Sequence, residues 1–470
     1  QSQARTGLAV KGLRAAPSAS EARVWARRFT VLILAGWASS AVIGFERAVL
    51  LLSILGLAAA AAGLRRPILG LYGIGMLCTL DVLSRVFIGG LWRWNTFNYF
   101  LLFVLLLNLP NLLGLRGVDV RLFELFVALL IVELVVSEDV ALGAQHVLDG
   151  VALLGLLLTF RKVRLDSEVA YGLAFLTGVL GAVGGLAFFL VRDSLPYINP
   201  NAWSFFPLTP IFASCLAIAT GIPSRRRTYI LLSLTGVNGL WIFLSGSRGG
   251  LLMTAVCLIF LLFQQIRLQG RGILGLVLVG ALVLGVGSLF VDQESRTSGR
   301  LKKLFDTSES ITERTSGRSD LALGAWYIFL DHPAGVGTGG FGRAWARLGQ
   351  REGLSGFDQG DEASAHSGWA KTLAENGLPG VVLLAAFVAS FAFVGWRKRG
   401  RAALPVGLLV AAILSFGFLV NEFQGKGLWF LVAGVMALLR QSGSVGVQRV
   451  RGGRAAAPAP HRTGGLRHFA

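Results

Sequence analysis

The chain has 470 residues, of which 54% are hydrophobic and 15% charged, and its mean hydropathy is +0.66. Soluble domains carry about 25% charged residues, so a string of soluble domains is excluded in favour of one polytopic membrane bundle. The net charge of +19 falls in short basic clusters between apolar runs, a pattern of loops facing the cytoplasm and anionic lipid rather than of a nucleic-acid-binding surface.

In chain order, residues 1–28 are polar and basic and read as a cytoplasmic segment without a removable signal peptide. A membrane helix needs about 20 mainly apolar residues. Candidate spans then lie at 29–45, 48–64, 67–90, 96–115, 120–137, 140–160, 169–190, 204–221, 229–246, 250–266, 273–291, 368–395, 402–420 and 427–440. The expected fold is an all-α polytopic integral membrane protein of about 12–14 transmembrane helices. It is divided into a bundle at 29–291, a long outer loop at 292–367, C-terminal helices at 368–440 and a disordered basic tail at 441–470.

Arg23, Arg27 and Arg28 before the first span place the N-terminus inside. The inner loops then hold Arg65/Arg66, Arg116/Arg121, Arg161/Lys162/Arg164, Arg225/Arg226/Arg227, Arg267/Arg271 and Arg397/Lys398/Arg399/Arg401. The short outer loops are poor in lysine and arginine, as orientation by positive charge requires. Cys78, Cys215 and Cys257 each lie inside an apolar run without metal-ligand spacing, so they read as small core residues. No metal or other cofactor is expected.

The arginines that this topology leaves outside need a separate reason; they include Arg47, Arg93, Arg192 and Arg248. Arg248 stands in "SGSRGG" at the outer end of the ninth span, beside Ser247, Gly249 and Gly250. The tenth span starts there at once. A helix N-terminus beside a guanidinium is an anion site; the plainer reading is an arginine reaching for headgroups. Within the outer loop, 318–330 has helical spacing of Leu321, Ala325, Ile328 and Phe329. Arg318 opens that stretch, with Ser316 or Ser319 as a candidate cap for a helix beginning near residue 320. "HPAGVGTGGFG" follows as a glycine-rich turn region. It is rejected as a nucleotide loop because no strand precedes it. His332 there reads as a turn residue.

His366, just before the twelfth span, is either a base able to take a proton near neutral pH or a satisfied hydrogen bonder. Glu375 either orients a group or pairs with Lys371 at i, i+4 spacing. Asp81 and Arg85 read as an intrahelical ion pair, and His146 and Asp149 do not form a relay chain by spacing alone.

Four ordered motifs carry a resemblance: "SGSRGG", "SGRSDLALGAWYIFLDHPAGVGTGGF", "HSGWAKTLAENGLPG" and "LWFLVAGVMALL". Over residues 230–440 the chain resembles the O-antigen ligase and O-antigen polymerase superfamily of bacterial envelopes. The resemblance implies inverting, metal-independent glycosyl transfer at the periplasmic face of the inner membrane. The donor would be an undecaprenyl-diphosphate-linked glycan, and the acceptor a lipid A core or another lipid-linked glycan. Arg248 and Arg318 would hold the diphosphate, with Ser247, Gly249, Gly250, Arg192 and Trp326 as further substrate contacts, and His366 would activate the acceptor hydroxyl. Glu375 would support the site. Trp326, Tyr327, Phe341 and Trp345 would stack on sugar faces or sit at the interface. Two alternatives follow: a polymerase joining lipid-linked repeats, and a flippase or transporter of the same lipid-linked substrate.

Overall fold

The computed structural model describes residues 19–63, 66–87, 118–162, 165–191, 200–221, 224–269, 318–352, 365–397, 403–420 and 426–441. Among them every regular element is helical. The candidate spans 96–115 and 273–291, Arg192 and the tail at 441–470, save its first residue, lie outside the described residues.

Among the described residues nine α-helices precede the outer loop. They are α1 (Ala19–Ile43), α2 (Phe45–Ala62), α3 (Pro67–Phe87), α4 (Val118–Glu133), α5 (Val140–Lys162), α6 (Ser167–Val191), α7 (Pro200–Ala219), α8 (Arg225–Ser245) and α9 (Arg248–Gln269). The outer loop supplies α10 (Arg318–Asp331) and α11 (Phe341–Glu352), and α12 (Gly368–Arg397), α13 (Ala403–Val420) and α14 (Lys426–Gln441) close the chain. Twelve of these fall on expected spans. Six of the described helices are long and apolar enough to cross a membrane, and four more carry shorter apolar runs.

The packing follows from side-chain size. α7 is buried on almost all sides, between α3, α6, α8, α9 and α14, because it is apolar around its whole circumference. Where helices come closest the contact residues are glycines. A Cβ on Gly181 would lie 2.7 Å from Pro210 and overlap Asn238, and one on Gly184 would lie 2.5 Å from Trp37. Small residues allow such approach in the absence of a hydrophobic drive between helices in lipid. Aromatic stacking fills the space between α4, α12 and α14, with Phe123 4.8 Å from Trp429 and 5.2 Å from Phe387. Cys78, Cys215 and Cys257 are buried in this core.

Two clusters of charge agree with the alternating topology. Arg227 of α8 and Arg23 of α1 both meet Glu168 of α6, at 2.5 and 3.8 Å, so three helix ends expected on the cytoplasmic side stand together. Arg343 and Arg347 of α11 meet Asp139 and Glu138 of the α4–α5 turn, at 3.8 and 2.6 Å, so two segments expected on the other side also stand together. Asp81 is buried, and the Arg85 side chain lies outside the described residues.

The outer loop has a core of its own. Leu321, Ala325 and Ile328 of α10 pack with Phe341, Ala344, Trp345 and Leu348 of α11 and with Ala374 of α12. The helical spacing read from the sequence therefore marks a buried face. Two details differ. The helix begins at Arg318, so Ser319 lies inside its first turn, where its hydroxyl reaches Asp320 instead of capping. Phe341 and Trp345 are buried, and Trp345 fills the space beside Gly324. They are core residues and not sugar platforms. Trp326 and Tyr327 are exposed.

Candidate functional site

The start of α12 gathers the most chemistry among the described residues. Ser367 opens the helix: its hydroxyl accepts the Ala370 N–H at 3.4 Å and its carbonyl accepts the Lys371 N–H at 2.9 Å, the arrangement of an N-cap. Immediately before it stands His366, exposed and with φ +48°. A left-handed conformation is uncommon for a residue with a Cβ, although histidine tolerates it better than most. An outlier of this kind is a reason to suspect function.

Two turns later α12 breaks. Gly377 has φ +58° and ψ −154°, and Pro379 follows, so one residue leaves helical geometry and another brings no N–H. The break is filled by the glycine-rich loop between α10 and α11. Val336 N–H donates to Ala374 O at 3.0 Å, Gly337 N–H to Glu375 O at 2.9 Å, and Leu378 N–H to Pro333 O at 3.2 Å. Backbone lies directly on backbone here. A Cβ on Gly335 would overlap Glu375 O, and one on Gly337 would lie 2.8 Å from Ser137. The loop's glycines serve close packing and positive φ, and the N–H groups of Gly335, Gly337 and Gly340 are used within the protein. His332 is a turn residue, accepting Gly335 N–H at 2.8 Å.

The same loop carries polar side chains inward. Thr338 Oγ1 donates to Leu130 O at 3.2 Å and accepts from Asn376 Nδ2 at 3.2 Å. The Asn376 amide also donates to Glu133 at the end of α4. The Glu375 carboxylate, buried, accepts the Phe341 N–H at 3.4 Å, where it meets the positive end of α11. Glu375 thus joins α12 to the outer-loop core.

Beneath these residues is a cavity of about 40 Å³, enough for one or two waters. One wall is apolar, with Phe123, Phe126 and Leu153; the other holds His146, Asp149, Lys371, Thr372 and Glu375. Lys371 Nζ lies 2.7 Å from His146 Nε2, within hydrogen-bond distance. The Thr372 hydroxyl, 1% exposed, has no hydrogen-bond partner among the described residues. Spacing along the chain failed to link His146 to Asp149 in any larger group. Folding brings them to residues more than 220 positions away. The signal available in the sequence was their shared outer depth.

The arginines sit at helix starts. α8 ends at Gly246 with φ +70°, and α9 begins with Arg248. Ser247 caps α9: its hydroxyl accepts the Gly250 N–H at 3.1 Å and lies 3.1 Å from Ser204 Oγ. Ser247 is fully buried, and Gly250 packs on Ser204, where a Cβ would lie 2.6 Å away. Gly249 is half-buried in the first turn. Arg318 is the first residue of α10. The side chains of Arg248 and Arg318 lie outside the described residues. α10, which Arg318 opens, packs on α12, and α9, which Arg248 opens, reaches α12 through α13. Trp369 Nε1 donates to Ser415 O of α13 at 3.1 Å, across that second contact.

These segments coincide with a known family. Residues 229–385 match the family model described as O-antigen ligase. The match covers less than half of the chain. It runs from α8 to the first half of α12 and contains Arg248, Arg318, Trp326, His366 and Glu375. A comparison with curated proteins finds no match. The O-antigen ligase domain, in a chain with several membrane-crossing helices, supports a glycosyltransferase of the ligase or polymerase type. Part of the cavity lining lies outside the matched region: Phe123, Phe126, His146, Asp149 and Leu153 come from α4 and α5.

Proposed function

We propose that the protein is an inverting, metal-independent glycosyltransferase. It moves a glycan from undecaprenyl diphosphate to a hydroxyl of a lipid A core at the periplasmic face of the inner membrane. The observation that carries the reading is the coincidence of the O-antigen ligase match with the helix starts that bear Arg248, Arg318 and His366.

The chemistry is consistent with those residue types. The acceptor oxygen attacks the anomeric carbon as the bond from that carbon to the diphosphate breaks. Undecaprenyl diphosphate leaves with added negative charge, which Arg248 and Arg318 stabilise. The acceptor proton passes to His366, a base suited to neutral pH. Arg248 opens α9 and Arg318 opens α10, so the positive end of each helix adds to its guanidinium. Arg192, Gly249 and the exposed Trp326 are further candidates for donor contact. The Ser247 and Gly250 contribution is to start α9 in the right place for Arg248.

The test is transfer in reconstituted membranes containing a lipid-linked repeat and a lipid A core. The wild-type protein is expected to join them, and His366→Ala, Arg248→Ala and Arg318→Ala to stay in the membrane without doing so. Full transfer by all three variants would discard the reading. Chain growth from lipid-linked repeats alone would make the enzyme a polymerase, and movement of the lipid-linked glycan without joining would make it a transporter.

A further inference from the structure

At the face opposite this site, α6 and α8 enclose a groove of about 580 Å³, within the range of about 300–1,000 Å³ typical of ligand sites. It is lined by Phe175 of α6 and by Arg226, Tyr229, Ile230, Ser233 and Leu234 of α8. These α8 positions recur at i, i+3/i+4 and i+7/i+8, so they share one helix face.

The reason for the groove is readable in the packing. From Gly178 outward the two helices are tightly joined. Asn238 Nδ2 donates to Gly178 O at 3.2 Å and Trp241 Nε1 to Ala182 O at 3.0 Å. A Cβ on Gly178 would lie 2.9 Å from Leu234, and one on Gly185 would lie 2.5 Å from Trp241 Nε1. Toward the basic end the glycines of α6 give way to Phe175 and Tyr171, which stack with centroids 6.0 Å apart. Bulk replaces hydrogen at the contact, and the groove opens where the glycines stop.

Its charge is equally specific. Three consecutive arginines start α8. Arg227 lies 2.5 Å from Glu168 and 5.0 Å over the Tyr171 ring. Arg226 has no carboxylate partner among the described residues and stands at the mouth of the groove beside Tyr229, which is 51% exposed. A cation without a carboxylate partner among the described residues and a phenol at the basic end, with an apolar channel running along the span, complement one shape of ligand. It has an anionic head and a hydrocarbon tail.

We propose that this groove binds an anionic glycerophospholipid of the leaflet at the basic face. Its phosphate meets Arg226 and Tyr229, and an acyl chain lies along Ile230, Leu234 and Phe175. Basic pockets between membrane helices on that side hold acidic headgroups by the same physics.

The experiment is native mass spectrometry of the full-length protein in detergent with added dioleoyl-phosphatidylglycerol or dioleoyl-phosphatidylcholine. Wild-type protein is expected to retain phosphatidylglycerol in preference to phosphatidylcholine. Arg226→Gln is expected to reduce that preference about fivefold, the effect of one basic residue near a charged surface. Ser233→Trp, at an exposed position, fills the groove and is expected to release the lipid without changing the charge. Arg225→Gln, outside the groove, should leave binding as in the wild type. Equal retention of the two lipids, or undiminished binding by both Arg226→Gln and Ser233→Trp, overturns the proposal. So does release of the lipid by millimolar inorganic phosphate, which would mark a phosphate site, or preference for a polyprenyl phosphate.

Discussion

Two glycine-rich joints look alike in the sequence and do different things. "SGSRGG" links α8 to α9, and "HPAGVGTGGFG" links α10 to α11. In the first, one glycine with positive φ ends a helix, a buried serine caps the next, and an arginine is left as its first residue. In the second, glycines with φ near +90° lay the chain against α12 and the α4–α5 turn, and backbone N–H groups are bonded to backbone oxygens. The first joint places a charge. The second clamps a small outer core onto a broken membrane helix. Glycine content alone does not distinguish an anion site from a packing device, whereas the partners of its N–H groups do.

That contrast breaks unless the charge placed by the first joint governs rate and the glycine packing of the second governs stability. The largest effect is expected for His366→Ala, a fall of about 10³-fold in transfer rate with an unchanged melting temperature; a rate within threefold of wild type would remove the proposed base. Next, Arg248→Ala should lower the rate about 10²-fold, and Arg318→Ala likewise, measured as product formed at saturating donor. At the clamp, Gly335→Ala puts a Cβ against Glu375 O at φ +93° and should cost about 1–3 kcal/mol or more in thermal unfolding. A fully stable Gly335→Ala protein would mean that the loop is not held as described. Glu375→Ala removes the carboxylate that accepts Phe341 N–H and should cost about 2 kcal/mol, with the loss seen first as faster proteolysis of the α10–α11 segment. The smallest effect belongs to Ser247→Ala, about 1 kcal/mol from a lost helix cap, visible as a lower melting temperature in detergent.

The relation between α12 and its neighbours also explains what was hard to read in advance. Trp345 and Phe341 have the composition of a sugar platform, yet α11 turns them into the outer-loop core. Their fate depended on Gly324, whose missing side chain makes room for the Trp345 ring. His146 and Lys371 were each unremarkable in their own segments and meet because α5 and α12 share an outer end. Thr372 showed no signal at all beforehand; only its burial beside a cavity makes its hydroxyl conspicuous.

Hydrophobic runs and basic loops determined by themselves that this is a polytopic helical membrane protein. They also determined which ends of its helices lie together, because hydrocarbon length and the cost of charge act on each segment locally. Four ordered motifs likewise pointed to the O-antigen ligase family, and three of them lie within the match at residues 229–385. The tertiary structure alone decided that the glycine-rich loop is a clamp, that α12 breaks at Gly377 to receive it, and that residues from α4, α5 and α12 line one cavity with an apolar and a polar side. Those outcomes depend on contacts between segments distant in sequence, where a missing Cβ or a single shared carbonyl sets the geometry, and no local pattern encodes them.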